Sequence, residues 1–244
     1  MSEYGLIGKN LSHSFSKAYF EKKFKELGLD YLEYTNFELE NIEDIKQVLA
    51  RNPELRGFNV TIPYKENIIP FLDELSPEAR GIAAVNCVKI TNGKLIGYNT
   101  DAYGFASSIK PFLEPQHSRA LILGTGGSSK AVVFVLKQLN VEVFFASTSK
   151  KRQGTFPYEA LNERLFNACK FIINTTPVGM FPNINECPSI PYECFSPQHL
   201  VYDLIYNPEE TLFLQKAKAQ GATIINGLSM LHLQAEKSWE IWNF

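Results

Sequence analysis

Cysteine is sparse and scattered. Only Cys87, Cys169, Cys187 and Cys194 occur in 244 residues, with no C-x-x-C pair and no histidine at metal-ligand spacing. That excludes a disulfide scaffold and leaves free thiols in a reducing compartment as the expectation. Histidine is equally scarce: none of His13, His117, His199 and His232 has a paired ligand, so no metal is expected. Long apolar runs are missing. No stretch approaches the ~20 residues of a membrane span, and the first residues hold no basic segment followed by an apolar one. A soluble, cytoplasmic chain with no membrane partner is expected. Excess charge is absent too, with 24 Lys plus Arg against 26 Asp plus Glu and a net charge of -2. A nucleic-acid surface needs a basic excess or face, so none is expected. The one dense basic cluster, Lys150-Lys151-Arg152, is large enough for a single phosphate.

What remains is an ordinary globular composition, 45% hydrophobic and 20% charged. The length suits one large or two small domains of roughly 100–200 residues each. Apolar runs alternate with helical periodicity. Tyr4–Gly8 reads as a buried strand, and Ser16–Leu27 as a helix with Phe20, Phe24 and Leu27 at helical spacing and Gly28 past its end. Tyr31–Phe37 and Leu55–Thr61 read as strands around a short helix at Ile42–Leu49. The alternation predicts an α/β layer with a largely parallel sheet. Asn92-Gly93, between Val85–Ile90 and Leu95–Tyr98, predicts a hairpin, because both turn residues must take positive φ. A helix over Tyr103–Phe112 leads into a second unit.

That unit opens with the strand Ala120–Leu123, the turn Gly124-Thr125-Gly126-Gly127-Ser128-Ser129, and a helix over Lys130–Leu139. Strands follow at Val141–Ala146, Phe171–Asn174, Leu200–Asp203 and Thr223–Ile225, with a helix over Glu210–Ala219. A closing helix over Gly227–Trp242 carries Leu228, Leu231, Ala235 and Trp239 on one stripe; residues 182–199 read as loop.

Strand, glycine-rich turn and helix in succession predict a dinucleotide site. Gly124 permits the tight turn, Gly126 lets the backbone approach a pyrophosphate, and the helix N-terminus offers free N–H groups. Ser129 stands at the third glycine position and is small enough for close helix–strand packing. An NAD site places an acid about 20 residues after the first glycine. Here that region is Ser147, Thr148, Ser149, Lys150, Lys151 and Arg152, hydroxyls and cations that favour the 2′-phosphate of NADP.

The first unit offers small polar groups at strand ends: Ser12, Ser14, Asn59, Thr61 and Asn86. They suit a polyhydroxylated or carboxylated small molecule, though each residue type also serves as a cap or turn residue. Lys65 and Asp101 are the acid–base candidates. Nothing in their spacing pairs them.

Several strings together resemble the shikimate dehydrogenase family. They are Ser12-His13-Ser14, Asn59-Val60-Thr61-Ile62-Pro63-Tyr64-Lys65, Gly81-Ile82-Ala83-Ala84-Val85-Asn86, Tyr98-Asn99-Thr100-Asp101 and Gly124-Thr125-Gly126-Gly127. Later come Asn174-Thr175-Thr176-Pro177-Val178-Gly179-Met180, Asp203-Leu204-Ile205-Tyr206-Asn207-Pro208 and Asn226-Gly227-Leu228-Ser229-Met230-Leu231 with Gln234.

The resemblance implies an N-terminal α/β substrate-binding domain and a Rossmann-like NADP-binding domain, with the last helix returning to the first. The expected division is 1–101 plus 227–244 against 102–226. It implies NADPH-dependent reduction of 3-dehydroshikimate to shikimate, on the route to aromatic amino acids. Lys65 and Asp101 match the catalytic pair. Ser12, Ser14 and Tyr206 match the carboxylate-binding groups, and Thr61, Asn86, Asp101 and Gln234 those holding the ring hydroxyls, with Asn59 in the same set. Gly227 and Met230 match positions lining the nicotinamide, and Gly127, Ser128, Thr175 and Leu204 join the cofactor set.

The family's Asn-Arg-Thr at the adenosine end is Ser147-Thr148-Ser149 here, so its adenine-stacking arginine is missing; a lysine cannot reproduce that planar stacking. The segment Gln153–Asn167 also looks short, as if a helix were trimmed. Three other readings stay open: a quinate/shikimate dehydrogenase using NAD, a non-catalytic metabolite-binding relative, and a Rossmann-type methyltransferase. The second would lack Lys65 or Asp101, and the third would not explain residues 59–65. A monomer or homodimer is expected.

Overall fold

The computed structural model describes residues 3–12, 14–148 and 154–244. Its contacts divide the chain into two units, Met1–Asp101 with Gln234–Phe244, and Ala102–Leu233. The return to the first unit thus falls inside the last helix, later than residue 227.

The first unit runs β1 (Tyr4–Gly8), α1 (Phe15–Glu26), β2 (Tyr34–Glu38), α2 (Ile45–Arg51), β3 (Gly57–Val60), β4 (Glu74–Leu75), α3 (Pro77–Ile82), β5 (Cys87–Thr91) and β6 (Lys94–Tyr98). The strand order is β2-β1-β3-β5-β6-β4. β1 and β3 are buried along their whole length, as a strand covered on both faces must be. Tyr4 and Leu6 join one apolar cluster with Phe20 and Phe24, while Ile7 joins another with Phe58 and Val60. The period of two splits one run between two cores.

The sheet is mixed rather than largely parallel. β2, β1 and β3 are parallel, but β5 pairs antiparallel with both β3 and β6. The reason is the hairpin: Asn92 and Gly93 take φ of 50° and 73°, the two positive values that a type I′ turn demands. β2 also starts later than expected, at Tyr34, since Tyr31 is exposed. The short helix α3 was not expected; Ser76 caps it by accepting from the Ala79 N–H, and Pro77 occupies its first position.

Helix α4 (Thr100–Ile109) carries the chain onward. The second unit then holds β7 (Arg119–Leu123), α5 (Gly127–Gln138), β8 (Glu142–Ala146), β9 (Thr155–Phe156), α6 (Glu163–Ala168), β10 (Phe171–Asn174), β11 (Leu200–Asp203), α7 (Leu212–Ala219), β12 (Thr223–Ile225) and the first turns of α8 (Leu228–Asn243). Its six strands are all parallel, in the order β12-β11-β10-β7-β8-β9. α6, six residues long, starts in the segment 153–167 that reads as shortened.

The end of α8 belongs to the first unit, and Gly57 explains how it docks. A Cβ there would collide with the Trp242 ring, whose Nε1 donates to Val88 O at 2.9 Å. Trp242 also stacks on Tyr4, with centroids 4.8 Å apart. The buried face of α8 is Gln234, Ala235, Ser238 and Trp242, while Leu228 from the expected stripe is exposed. Among the described residues, no helix is long and apolar enough to cross a membrane.

Candidate active site

Strand direction assembles the site of the first unit. β1 and β3 run parallel, so the residues after each leave the sheet at one edge. Because β5 is antiparallel to β3 and β6 to β5, the start of β5 and the end of β6 reach that same edge. Ser12 and Ser14 follow β1, Thr61 and Lys65 follow β3, Asn86 precedes β5, and Asp101 follows β6. Four sequence-distant segments meet at one rim.

Lys65 Nζ lies 2.7 Å from Asp101 Oδ2, with side-chain exposures of 22% and 16%. The pair is largely shielded but open enough to meet a ligand. Asn86, buried, donates from Nδ2 to Asp101 Oδ1 at 3.0 Å and faces Thr100 Oγ1 and Gln234 Oε1 at 2.9 and 3.3 Å. Its Oδ1 accepts from the Thr100 N–H at 2.6 Å. The Asp101 carboxylate is therefore held at one oxygen by an ammonium and at the other by an amide. The Val85 N–H donates to Lys65 O at 2.7 Å, so the segment before Asn86 is tied to the base of the lysine.

The serine loop is built from β2. Glu38 accepts from the Leu11 N–H at 2.7 Å and Asn36 donates to Leu11 O at 3.1 Å. Ser12 is exposed, whereas Ser14 Oγ is buried with no hydrogen-bond partner among the described residues. A buried hydroxyl left unpaired is costly, which marks Ser14 as a group awaiting a ligand atom. Thr61 is half-buried, with its N–H on Ile7 O at 2.8 Å.

Asn59 differs from the expectation of a substrate contact. Its Oδ1 accepts from the Tyr34 hydroxyl at 2.8 Å, and its Nδ2 donates to Asn86 O and Ser238 Oγ at 3.1 and 2.9 Å. Both ends of this buried amide are committed to the core. Thr100, Ser238 and Tyr34 were missed in the sequence. The only cue was that Thr100 precedes Asp101.

The second unit carries the glycine-rich turn. Gly124 has a φ of 100°, and a Cβ there would lie 2.8 Å from Thr176 Cγ2 and 2.9 Å from Thr175 Oγ1. Thr175 reaches back to Leu123 O at 2.8 Å. Gly126 caps α5 without a side chain, and a Cβ on it would meet only open space. Gly127 is exposed and Ser128 half-buried at the helix start, while Ser129 is buried and donates to Gly126 O at 2.7 Å. At the end of β8, Ser147 is half-buried and Thr148 exposed, with no acid beside them in the chain. Ser149, Lys150 and Arg152 lie outside the described residues, as do His13 and Lys151.

A buried carboxylate organises the loops beyond β10 and β11. Asp203 accepts from Asn174 Nδ2 at 3.0 Å, the Ile205 N–H at 3.1 Å and the Thr211 hydroxyl at 2.6 Å. Burial outweighs these three donors and pushes its carboxyl up to about 6. Asn174 in turn accepts from Thr176 N and Oγ1. Leu204 and Tyr206 follow in the loop, both half-buried, and burial raises the Tyr206 phenol. Gly227 presses against the Leu204 carbonyl so closely that a Cβ would overlap it. Met230 is half-buried in the first turn of α8.

Known proteins resemble this chain in sequence and in fold. The profile of the shikimate dehydrogenase substrate binding domain matches residues 6–88, which include the serine loop, Lys65 and Asn86. The NADP(+) shikimate dehydrogenase of Methanococcus maripaludis is 41% identical over 98% of this chain and 90% of its own. The chain belongs to the shikimate dehydrogenase family. Among solved structures, the Aquifex aeolicus shikimate dehydrogenase has a TM-score of 0.88 at 34% identity, covering 100% of this chain and 92% of that one. The Thermus thermophilus enzyme, solved with NADP(H) and shikimate, has a TM-score of 0.86 at 32% identity, covering 100% and 94%.

Proposed function

We propose that the protein is an NADP-dependent shikimate dehydrogenase, reversibly reducing 3-dehydroshikimate to shikimate. The observation that carries this reading is the Lys65–Asp101 pair, set at a rim of hydroxyls and amides in a member of this family. The second unit fits a dinucleotide. Gly126 leaves room where a side chain would stand, and α5 presents its N-terminus, with no side chain capping it, to a phosphate. The end of β8 carries hydroxyls and no acid to repel a 2′-phosphate.

Bound NADPH supplies the hydride that reaches the ketone carbon of the substrate. As that carbon accepts it, the ketone oxygen gains negative charge, and the Lys65 ammonium both stabilises this charge and transfers a proton to it. Ketone becomes alcohol, and Lys65 regains its proton from solvent. Asp101 keeps the ammonium aimed and accepts from a neighbouring ring hydroxyl. Thr61, Asn86 and Gln234 hold the other hydroxyls. Ser12 and Ser14 bind the carboxylate, which gives the buried Ser14 Oγ a partner, and the family resemblance assigns Tyr206 the same role. Asn59 supports Asn86 from beneath and touches no substrate. Gly227 and Met230 line the nicotinamide, Thr175 and Leu204 belong to the cofactor set, and by sequence alone Lys150 and Arg152 are the cations suited to the 2′-phosphate.

The four cysteines are unpaired thiols, which supports a cytoplasmic enzyme, acting as a monomer or homodimer. The test is initial rates of reduced-nicotinamide formation from shikimate and from quinate, each with NADP+ and NAD+. Turnover is expected with shikimate and NADP+. Equal or faster rates with NAD+ or quinate would reassign the protein, and no turnover despite shikimate binding would make it a regulator.

A further inference from the structure

Ser238 is fully buried on the inner face of α8, one turn beyond Gln234. Its hydrogen bonds define its role. The Asn86 carbonyl can only accept, so the end of the Asn59 amide facing it is the nitrogen, and the other end is the Oδ1 that accepts from the Tyr34 hydroxyl at 2.8 Å. That nitrogen donates to Asn86 O and to Ser238 Oγ, at 3.1 and 2.9 Å. The Ser238 hydrogen goes to Gln234 O at 2.9 Å, and Thr100 Oγ1 lies 3.2 Å from Ser238 Oγ.

Above this layer the same logic continues. The Thr100 N–H on Asn86 Oδ1 fixes the second amide, so Asn86 Nδ2 faces Asp101, Thr100 and Gln234. With the Ser238 hydrogen on Gln234 O, the single Thr100 hydroxyl hydrogen goes to Ser238 Oγ. Gln234 Oε1 at 3.3 Å shares the second Asn86 Nδ2 hydrogen with Thr100 Oγ1 at 2.9 Å. Reversing either amide would set donor against donor in a buried site, at the cost of unpaired polar groups.

We infer that Ser238, backed by Tyr34 through Asn59, is a positioning residue for substrate recognition. It holds the Gln234 backbone and anchors Thr100, so that Gln234 meets the substrate with its nitrogen end and Asp101 keeps one rotamer. Neither Ser238 nor Tyr34 touches substrate. The inference rests on the shikimate dehydrogenase reading.

The test compares Ser238→Ala, Tyr34→Phe and the double variant with wild type, in the full-length protein. It records kcat, the KM for shikimate and for NADP+, melting temperature, and shikimate affinity by calorimetry. Each single variant should raise the shikimate KM about five- to tenfold, as loss of one buried hydrogen bond does, leaving the NADP+ KM unchanged. The double variant should be little worse than the poorer single, because both break one chain. The inference is overturned if both singles stay within about twofold of wild type for shikimate, or if the two effects multiply as independent sites would. It is also overturned if shikimate and NADP+ KM rise together with a lowered melting temperature. Should Ser238→Ala not fold, the same split in Tyr34→Phe decides. Wild-type enzyme without turnover would remove the dehydrogenase reading, and the calorimetric shikimate affinities would still read the positioning.

Discussion

The Lys65 ammonium and the Asp101 carboxylate lie 2.7 Å apart, although 36 positions separate them in sequence. The antiparallel hairpin returns β6 to the rim where β3 ends, and Asp101 follows from that return. Asn86 on the other carboxylate oxygen prevents free rotation, so the lysine has one place to be. A proton donor held this way loses little entropy in the transition state.

Replacing Lys65 with Ala should therefore lower kcat by about 10²- to 10⁴-fold, the usual worth of a placed acid. Melting temperature should change little, because a part-exposed ion pair contributes about 1 kcal/mol or less. Asp101→Asn should lower kcat and also raise the shikimate KM, since the carboxylate both aims the lysine and meets the substrate. Steady-state rates check both. A Lys65→Ala enzyme keeping most of its kcat would remove Lys65 from the chemistry.

Two kinds of buried group in the second unit pull stability in opposite directions with pH. Asp203 binds its proton more tightly folded, at about 6, than unfolded, at about 3.9. Its contribution is fully present below 3.9 and is lost as pH rises through about 6. His199 behaves the other way. Its Nδ1 accepts from the Ser196 N–H at 3.0 Å and its Nε2 faces Phe166 O at 3.0 Å, so the neutral ring fits, and burial lowers its pKa. His117, accepting from the Glu114 N–H, is lowered for the same reason. Their contribution is present above about 6.5 and is lost as pH falls through their lowered values. Melting curves from pH 4 to 8 should show Asp203→Asn losing the gain toward acid and His199→Gln losing part of the acid decline. Parallel curves for wild type and both variants would contradict these assignments.

Gly57→Ala should destabilise the first unit by about 1–3 kcal/mol, the range for an overpacked core. The added methyl would occupy the space of the Trp242 ring and break its bond to Val88 O. Tryptophan emission should shift to the red as the ring is displaced. An unshifted spectrum with an unchanged melting temperature would mean that α8 docks by other contacts.

Much of this was legible in the sequence because strand ends and turns carry local signals. Asn92-Gly93 announced its hairpin, and the string from Gly124 to Ser129 announced a turn into a helix. Pairing was not legible: Lys65 and Asp101 meet only through the antiparallel return of β5 and β6, which no local pattern encodes. Asn59 shows the opposite limit. A polar residue at a strand end reads as a ligand group, yet Tyr34 and Ser238 engage its amide from elements distant in the chain. Short helices such as α3 and α6 escaped because six residues carry too little periodicity. The closing helix kept its span but its buried face is rotated, since Gln234 and Ser238 face inward for hydrogen bonding rather than hydrophobicity.

The glycine-rich turn separates folding from binding within three residues. Gly124 has a φ of 100° and packs on Thr175 and Thr176, so a side chain there meets both backbone strain and contact. Gly126 has ordinary extended backbone, and a methyl added to it would find nothing within 4 Å, so Gly126→Ala leaves the fold undisturbed. The methyl would instead stand where a phosphate approaches the start of α5. Gly126→Ala should keep its melting temperature while the NADP+ KM rises about tenfold or more, a loss of at least one phosphate contact. Gly124→Ala should lose both stability and NADP+ affinity. If Gly126→Ala bound NADP+ as wild type does, the phosphate would lie elsewhere along the turn, and the open face at Gly126 would have no part in cofactor binding.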